Sequence, residues 1–450
     1  MKAKNVHIIS LGCPKNLLDS EVMAAILSKS GYAISTRADD AHFILINTCA
    51  FILPAKEESI EEILRMEEWK KRGGTLCTHL IVAGCLPQRY GKTLEKEMPD
   101  VDLFLGVNEV PNIAHHIDRL SAAAPPGRRS VISKPAFLMN AGHARLVSTP
   151  FYSAYLKIAE GCSNRCSYCV IPSIRGKARS RNPDDILREA ETLAAGGVRE
   201  IIITAQDTTA FGRDLAGKPT LGELMKKLAA IEAIRWIRLL YTYPAHLDDS
   251  VLQAMADEEK ICHYIDMPIQ HTDDGILKAM NRRGGSRLVK KTIEKARRII
   301  PDVALRTSII VGFPGETPTK FKNLLAFIRE ARFDHLGAFV YSREEGTKAA
   351  SLPSRISEKE KEFRRHLLME EQAVMSHEIN QSLIGSYQEV LIEGKSDIPD
   401  FTHIGRCRRQ APDIDGVTYV KGNHPVTGDI ITCKIIAATE YDLFAEIMEK

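Results

Sequence analysis

The sequence predicts an α/β chain in three parts: an N-terminal parallel α/β domain, a central partial TIM-like (β/α)6 barrel, and a small all-β barrel at the C-terminus. Three observations carry this. From residue 6 to about 341, β-rich runs alternate with helical patterns, as in parallel sheets joined by crossover helices. Residues 121–150 break that alternation with no sustained period and contain Ala-Ala-Ala-Pro-Pro-Gly-Arg-Arg, the composition of a linker. Beyond residue 382 the runs become short strands broken by Gly, Pro and Asp, as in a small β-barrel. With 450 residues, 44% hydrophobic and 26% charged, the chain is long enough for two or three domains and apolar enough to pack them, which excludes disordered and fibrous classes.

In order along the chain, the first domain (1–120) shows β-runs at Val6-His-Ile-Ile, His42-Phe-Ile-Leu-Ile and His79-Leu-Ile-Val-Ala, with helical stretches near Asp19 to Ser30 and Ala55 to Lys71. After the linker (121–150), a second domain (151–382) carries six β-runs: Tyr155 to Glu160, Glu200 to Ala205, Trp236 to Tyr241, His263 to Pro268, Ala304 to Val311 and Leu336 to Tyr341. Six βα units in succession suit a partial barrel better than a doubly wound sheet, and in either fold ligands sit beyond the strand C-termini. Residues 357 to about 382 read as a charged amphipathic helix, and residues 383–450 as the third domain. No apolar stretch approaches the roughly 18 residues of a membrane span, and the start is too broken by His7 and Ser10 for a secretory signal. The expectation is a cytoplasmic protein.

Ten cysteines in such a chain argue for metal or redox chemistry, because the cytosol keeps thiols reduced. Glu160-Gly-Cys162-Ser-Asn-Arg-Cys166-Ser-Tyr-Cys169 places three of them in one loop after a strand. A structural zinc site takes four ligands, whereas three thiolates on a four-iron cluster leave one iron open. Cys13, Cys49 and Cys85 stand 36 residues apart, each directly after a β-run. In a parallel sheet those positions share one edge, so the three sulfurs can converge on a second cluster or simply be buried core thiols. Cys77 precedes its strand, and Cys262, Cys407 and Cys433 have no matching context; these four read as buried small hydrophobes.

The C-x3-C-x2-C loop resembles the signature of the radical S-adenosylmethionine (SAM) superfamily. The stretches Leu11-Gly-Cys13-Pro-Lys-Asn-Leu-Leu-Asp-Ser-Glu21, Asn47-Thr-Cys49-Ala-Phe-Ile and Ala83-Gly-Cys85-Leu-Pro-Gln-Arg89 resemble the amino-terminal domain of the methylthiotransferases. The resemblance covers nearly the whole chain. It implies a methylthiotransferase domain, a radical SAM barrel and a TRAM (OB-like) barrel in that order. It also implies two [4Fe-4S] clusters, on Cys13, Cys49 and Cys85 and on Cys162, Cys166 and Cys169, with SAM serving as both radical source and methyl donor. In that family one cluster and SAM yield a 5′-deoxyadenosyl radical that abstracts hydrogen from the substrate, and the other cluster carries the sulfur. SAM contacts are expected from Tyr168 in the cysteine loop, from Gln206 and Asp207 after the second barrel strand, from Arg306, and from Gly312 in the run Ser308-Ile-Ile-Val-Gly-Phe-Pro-Gly-Glu316. Tyr341, Asp266 and His271 end barrel strands and receive no role, and no general base is identified.

Members of this family modify either tRNA adenosine or an aspartate of ribosomal protein S12. Gly12-Cys-Pro-Lys-Asn, Gln206-Asp-Thr-Thr-Ala-Phe-Gly-Arg-Asp214 and Pro412-Asp-Ile-Asp-Gly-Val-Thr-Tyr-Val420 resemble the branch that modifies the protein, at the aspartate β-carbon. Charge gives a separate reason. Residues 383–450 hold eleven acidic side chains against seven Lys or Arg, a net of −4, whereas a barrel gripping tRNA should be basic. Ribosomal protein S12 is therefore the expected partner, with a one-electron reductant, no membrane, and tRNA as the alternative that Arg406, Arg408 and Arg409 keep open. A different class of function, a ribosome- or RNA-associated binding protein with a structural cluster, is separated from the enzyme by 5′-deoxyadenosine formation from SAM.

Overall fold

The computed structural model describes residues 4–448 apart from 73, 123–128, 354–355 and 423–424. The Pro-Pro-Gly centre of the expected linker lies outside the described residues.

The first unit is built from β1 (Asn5–Ser10), α1 (Pro14–Lys29), β2 (Ala33–Ser35), β3 (Phe43–Thr48), α2 (Leu53–Lys71), β4 (His79–Gly84), α3 (Cys85–Glu97), β5 (Leu103–Leu105), α4 (Ile113–Ser121) and β6 (Ser130–Val131). Its six strands are all parallel in the order β2-β1-β3-β4-β5-β6. β3 is buried along its whole length, as expected of a strand covered by helices on both faces. Three strands escape the sequence reading. β2 and β5 have only three residues each, and β6 lies inside the segment read as linker, where it pairs beside β5. α1 also starts five residues before Asp19, because Pro14 takes the first helical position, where its fixed φ fits and its missing N–H costs nothing.

The second unit contains β7 (Ser153–Lys157), β8 (Ala159–Glu160), α5 (Ile171–Ile174), β9 (Arg179–Ser180), α6 (Pro183–Ala195), β10 (Glu200–Thr204), α7 (Leu221–Ala229), β11 (Trp236–Leu239), α8 (Asp249–Asp257), β12 (Ile261–Asp266), α9 (Asp274–Ala279), α10 (Gly285–Ile299), β13 (Ala304–Val311), α11 (Pro318–Ala331), β14 (His335–Val340) and α12 (Glu358–Ser382). β7, β10, β11, β12, β13 and β14 are parallel and adjacent in chain order, an open six-stranded barrel. The run Tyr155 to Glu160 divides at Ile158, so that β8 turns away to pair with β9. The third unit is a closed five-stranded barrel of β15 (Tyr387–Lys395), β16 (His403–Cys407), β17 (Thr418–Lys421), β18 (Ile430–Ala438) and β19 (Leu443–Ile447).

Both flanking units dock on the open barrel. α1 lies against its interior, with Leu18 fully buried among Tyr155, Ile202, Trp236 and Tyr264. Arg145 straps the units together by pairing with Glu21 of α1 at 2.7 Å and with Glu189 of α6 at 2.5 Å. Lys56 and Arg89 close on Glu344, beyond β14, at 2.7 and 2.8 Å. At the opposite end, Arg406 of β16 reaches Glu200, the first residue of β10, at 2.7 Å. The C-terminal barrel thus covers the strand N-termini and leaves the C-terminal ends to α1 and the thiols.

Candidate active site

β1, β3 and β4 are neighbours in the sheet, and they end within one residue of the same level, Ser10 pairing with Asn47 and Thr48 with Gly84. Cys13 caps the start of α1, Cys49 follows β3 directly, and Cys85 opens α3. The parallel topology therefore brings the three sulfurs to one edge. Two glycines permit the approach. At Gly12, with φ +87°, an added Cβ would lie 2.5 Å from the Cys49 Cβ and 2.9 Å from its Sγ. At Gly84, with φ +97°, it would lie 2.3 Å from the Asn47 Oδ1. Asn16 and Asn47 lock the loops to each other: the Asn16 amide donates to Leu11 O and Asn47 O, and the Asn47 amide donates to Asn16 O. Ser59 accepts from Cys49 N at 3.1 Å.

The second triad occupies the loop between β8 and α5. Cys162 N donates to Gly176 O, and Ser167 bonds to Met280 O and Ala279 O, so the loop is tied to both sides of the barrel mouth. Asn164 donates to Asp207, whose carboxylate also faces His246 and Thr209. Burial opposes ionisation of Asp207, but the hydrogen bonds from His246 and Thr209 prevail and hold it below the usual carboxylate range.

All six cysteines are free thiols. Burial, reinforced by the neighbouring thiols, pushes Cys49 and Cys169 up to about 12, and burial pushes Cys162 up to about 11. Closely grouped thiols of this kind ionise only when a cation binds them, which is what cluster irons supply. Among the described residues no three His, Cys, Asp or Glu side chains close around a single metal ion. A cubane cluster spreads three thiolates over three irons, and each open triad fits that donor set. Beside the second triad, the buried Oε1 of Gln206, Oγ1 of Thr204 and OH of Tyr341 have no hydrogen-bond partner among the described residues. Acceptors left free in this way suit the ammonium and hydroxyl groups of SAM.

A buried charge network runs from the first triad to Glu160, at the base of the loop that carries the second. Arg175, after α5, donates to Cys85 Sγ at 3.3 Å and to Asn16 Oδ1 at 3.1 Å, and pairs with Asp19 of α1. Asp19 meets Lys157 of β7 at 2.6 Å, Lys157 meets Glu160 at 2.9 Å, and Glu160 accepts from Gln206 at 2.6 Å. The four charged side chains are at most 5% exposed, and two cations balance two anions. Burial disfavours the Glu160 carboxylate, yet Lys157 and Arg175 hold its pKa down at about 2. Sequence reasoning missed this network, although Asp19 and Glu160 lie inside the two cysteine motifs it singled out.

The remaining expected SAM contacts have protein partners. Tyr168 packs beside Met280, Phe313 and Tyr341, with its hydroxyl near Cys166. Arg306 pairs with Asp266 at 3.0 Å and with Asp415 of the C-terminal barrel at 3.3 Å, carboxylates of the protein itself. Gly312, with φ +74°, has the stem of Lys361 from α12 where its Cβ would stand, and its N–H donates to Glu316. His271 faces Glu316 at 3.3 Å with both side chains fully buried. Cys262, Cys407 and Cys433 are fully buried, and Cys77 nearly so.

Residues 156–328 match the radical SAM superfamily, residues 5–106 an uncharacterized protein family, UPF0004, and residues 384–448 the TRAM domain. The fold resembles that of TsrM from Kitasatospora setae, a radical SAM methyltransferase solved with cobalamin and a [4Fe-4S] cluster. That likeness has a TM-score of 0.54 at 14% identity and covers 88% of this chain and 82% of the other. Open barrel and three-thiol loop together define a radical SAM protein. The chain is 62% identical to the ribosomal protein uS12 methylthiotransferase RimO of Syntrophus aciditrophicus, over 100% of this chain and 99% of that one. It is 49% identical to the protein of the same name from Geobacter sulfurreducens, over 99% of each. The chain belongs to the RimO family of radical SAM methylthiotransferases. With that membership come a [4Fe-4S] cluster and SAM. No helix among the described residues is long and apolar enough to cross a membrane.

Proposed function

We propose that this chain attaches a methylthio group to the β-carbon of an aspartate in ribosomal protein uS12, using two clusters on Cys13, Cys49 and Cys85 and on Cys162, Cys166 and Cys169. The observation that carries this reading is the pair of thiol triads, each just beyond the ends of parallel strands, with a buried Arg175–Asp19–Lys157–Glu160 network running from Cys85 of the first to the residue two before Cys162 of the second. Bound there, the barrel-side cluster would supply an electron for cleavage of one SAM and the other cluster would supply sulfur, with a second SAM as the methyl donor.

The chain's own residues do the rest. Gln206 and Thr204 offer free acceptors to SAM beside the second triad. Arg175 steadies Cys85 by a charged hydrogen bond, and Lys157 fixes the distance between β7 and α1. α1, Arg145 and the Glu344 clasp hold the first unit against the barrel mouth, the side on which a carbon radical would need shelter from water. A one-electron reductant from outside the chain completes the reaction, and the cytoplasm is its setting.

The choice of protein over tRNA draws on the relatives' names, the −4 charge of residues 383–450, and the arginines there. Arg406 is bound to Glu200 and Glu393, Arg408 to Glu389 and the Glu259 carbonyl, and Arg409 to Asp334 and the Asp302 carbonyl. The basic cluster that kept tRNA open is spent on holding the barrel together.

The test is anaerobic reconstitution with SAM and dithionite, offering purified S12 in one tube and unmodified tRNA in another, followed by mass spectrometry. The expected result is a methylthio adduct on an aspartate of S12. An adduct on tRNA adenosine instead would overturn the substrate, and absence of 5′-deoxyadenosine from fully loaded protein would overturn the enzyme.

A further inference from the structure

Lys15 is a buried cation whose neighbouring carboxylate is committed elsewhere. It follows Cys13 by two residues, is 7% exposed, and its Nζ rests 3.3 Å from the ring centroid of Tyr241, just past the end of β11. Asp266, which faces it, pairs with Arg306 and accepts from Tyr241 N. Asp19 and Glu160 are held by Lys157 and Arg175, and Asp207 by Asn164, Thr209 and His246. A lysine is rarely buried unless paired, because desolvation of its charge is costly, and an aromatic face offsets only part of that cost. Tyr241 is itself held at φ +61°, a left-handed conformation that an aromatic residue rarely adopts and that concentrates at ligand sites.

We propose that Lys15 is the specificity residue that receives the carboxylate of the target aspartate. This rests on the protein-substrate reading above. Lys15 lies on the seam between the first triad and the barrel mouth, since Cys13 caps the helix turn that carries it and its ammonium rests on Tyr241 just past a barrel strand. In an aspartate the carbon to be modified is bonded directly to the carboxylate. An ammonium gripping that carboxylate fixes the β-carbon between the two sites, and it selects an anionic side chain over a neutral one. The ring of Tyr241 holds the ammonium in place without neutralising it, so the charge is available when the substrate enters.

The experiment compares wild type, Lys15→Met and Lys15→Arg on S12 and on S12 carrying Asn at the target position. The readouts are kcat/KM for methylthio transfer and, by calorimetry on protein without clusters or SAM, the Kd of each S12 form. Wild type is expected to favour Asp over Asn by at least about tenfold. Lys15→Met brings that ratio near one and weakens binding of the Asp form alone, and Lys15→Arg retains the preference. An unchanged Asp-to-Asn ratio in Lys15→Met overturns the assignment. So does a rise confined to the KM for SAM, which would give the cation to the methionyl carboxylate. Wild-type turnover of natural S12 is read in parallel, and no methylthio product there overturns the proposed function and this assignment together.

Discussion

Single atoms decide the geometry of the first triad. Gly12 lacks the one carbon that would stand 2.5 Å from Cys49 Cβ, and its φ of +87° suits only a residue without a side chain. Gly12→Ala must therefore displace either Cys13 or Cys49. We expect this variant to fold but to hold about four iron atoms per chain where wild type holds about eight, measured by metal analysis after anaerobic reconstitution. Retention of the full iron content would show that the loop has slack the packing does not reveal. Cys166 and its two partners belong to a different loop, so the signal of the second cluster is expected to survive. The six cysteines announced themselves by spacing and by their place after strands, because strand periodicity fixes which edge a following residue occupies. Lys15, Arg175 and Lys157 did not, because a charged residue in a sequence reads as surface until a structure shows it buried.

Elements carry the connection between the first triad and the barrel. α1 starts at Cys13 and presents Asp19 to Lys157 of β7 and to Arg175 beyond α5, so one helix touches the first triad at its start and the second unit one turn later. Removing one member of a balanced buried set leaves charges without partners, which costs about 3 to 5 kcal/mol. Asp19→Ala is expected to lower stability by that order, read from chemical denaturation at pH 7. By contrast, the Lys290 and Glu330 pair is more than half exposed on both sides, and Glu330→Ala should leave stability nearly unchanged. Equal effects for the two substitutions would mean that the network is hydrated and carries little. Length set what the sequence disclosed about elements. The six barrel strands and the 25-residue α12 were readable, since each is long enough to display a period. Leu103–Leu105 and Ser130–Val131 are too short to show one, and only their pairing in the sheet makes them strands.

At the scale of the whole molecule, the open barrel is closed differently at its two ends. The strand C-termini face the thiols and α1, and the strand N-termini face the C-terminal barrel, where Glu200 sits fully buried between Arg406 and Arg238 at 2.7 and 3.0 Å. Burial alone would raise the carboxyl, but the two guanidiniums prevail and hold it at about 2, below its ordinary 4.5. A carboxyl depressed in the folded state stabilises fully above its unfolded value, and that contribution is lost as pH falls from about 4.5 toward about 2. Such a shift corresponds to about 3 kcal/mol at neutral pH and roughly half of that near pH 3. Glu200→Gln keeps the shape and removes the charge. The variant should be less stable than wild type by at least about 3 kcal/mol at pH 7, with the gap narrowing as pH is lowered through 4 to 3, measured by denaturant unfolding at each pH. A gap that stays constant across that range would mean the carboxylate contributes through shape and hydrogen bonding alone. Because Arg406 belongs to the C-terminal barrel and Glu200 to the central one, the same titration is also expected to loosen the joint between them. Protease cleavage near residue 383 should accelerate below pH 4 in wild type and already at pH 7 in Glu200→Gln, which ties the acid sensitivity of the molecule to one buried ion cluster at its domain seam.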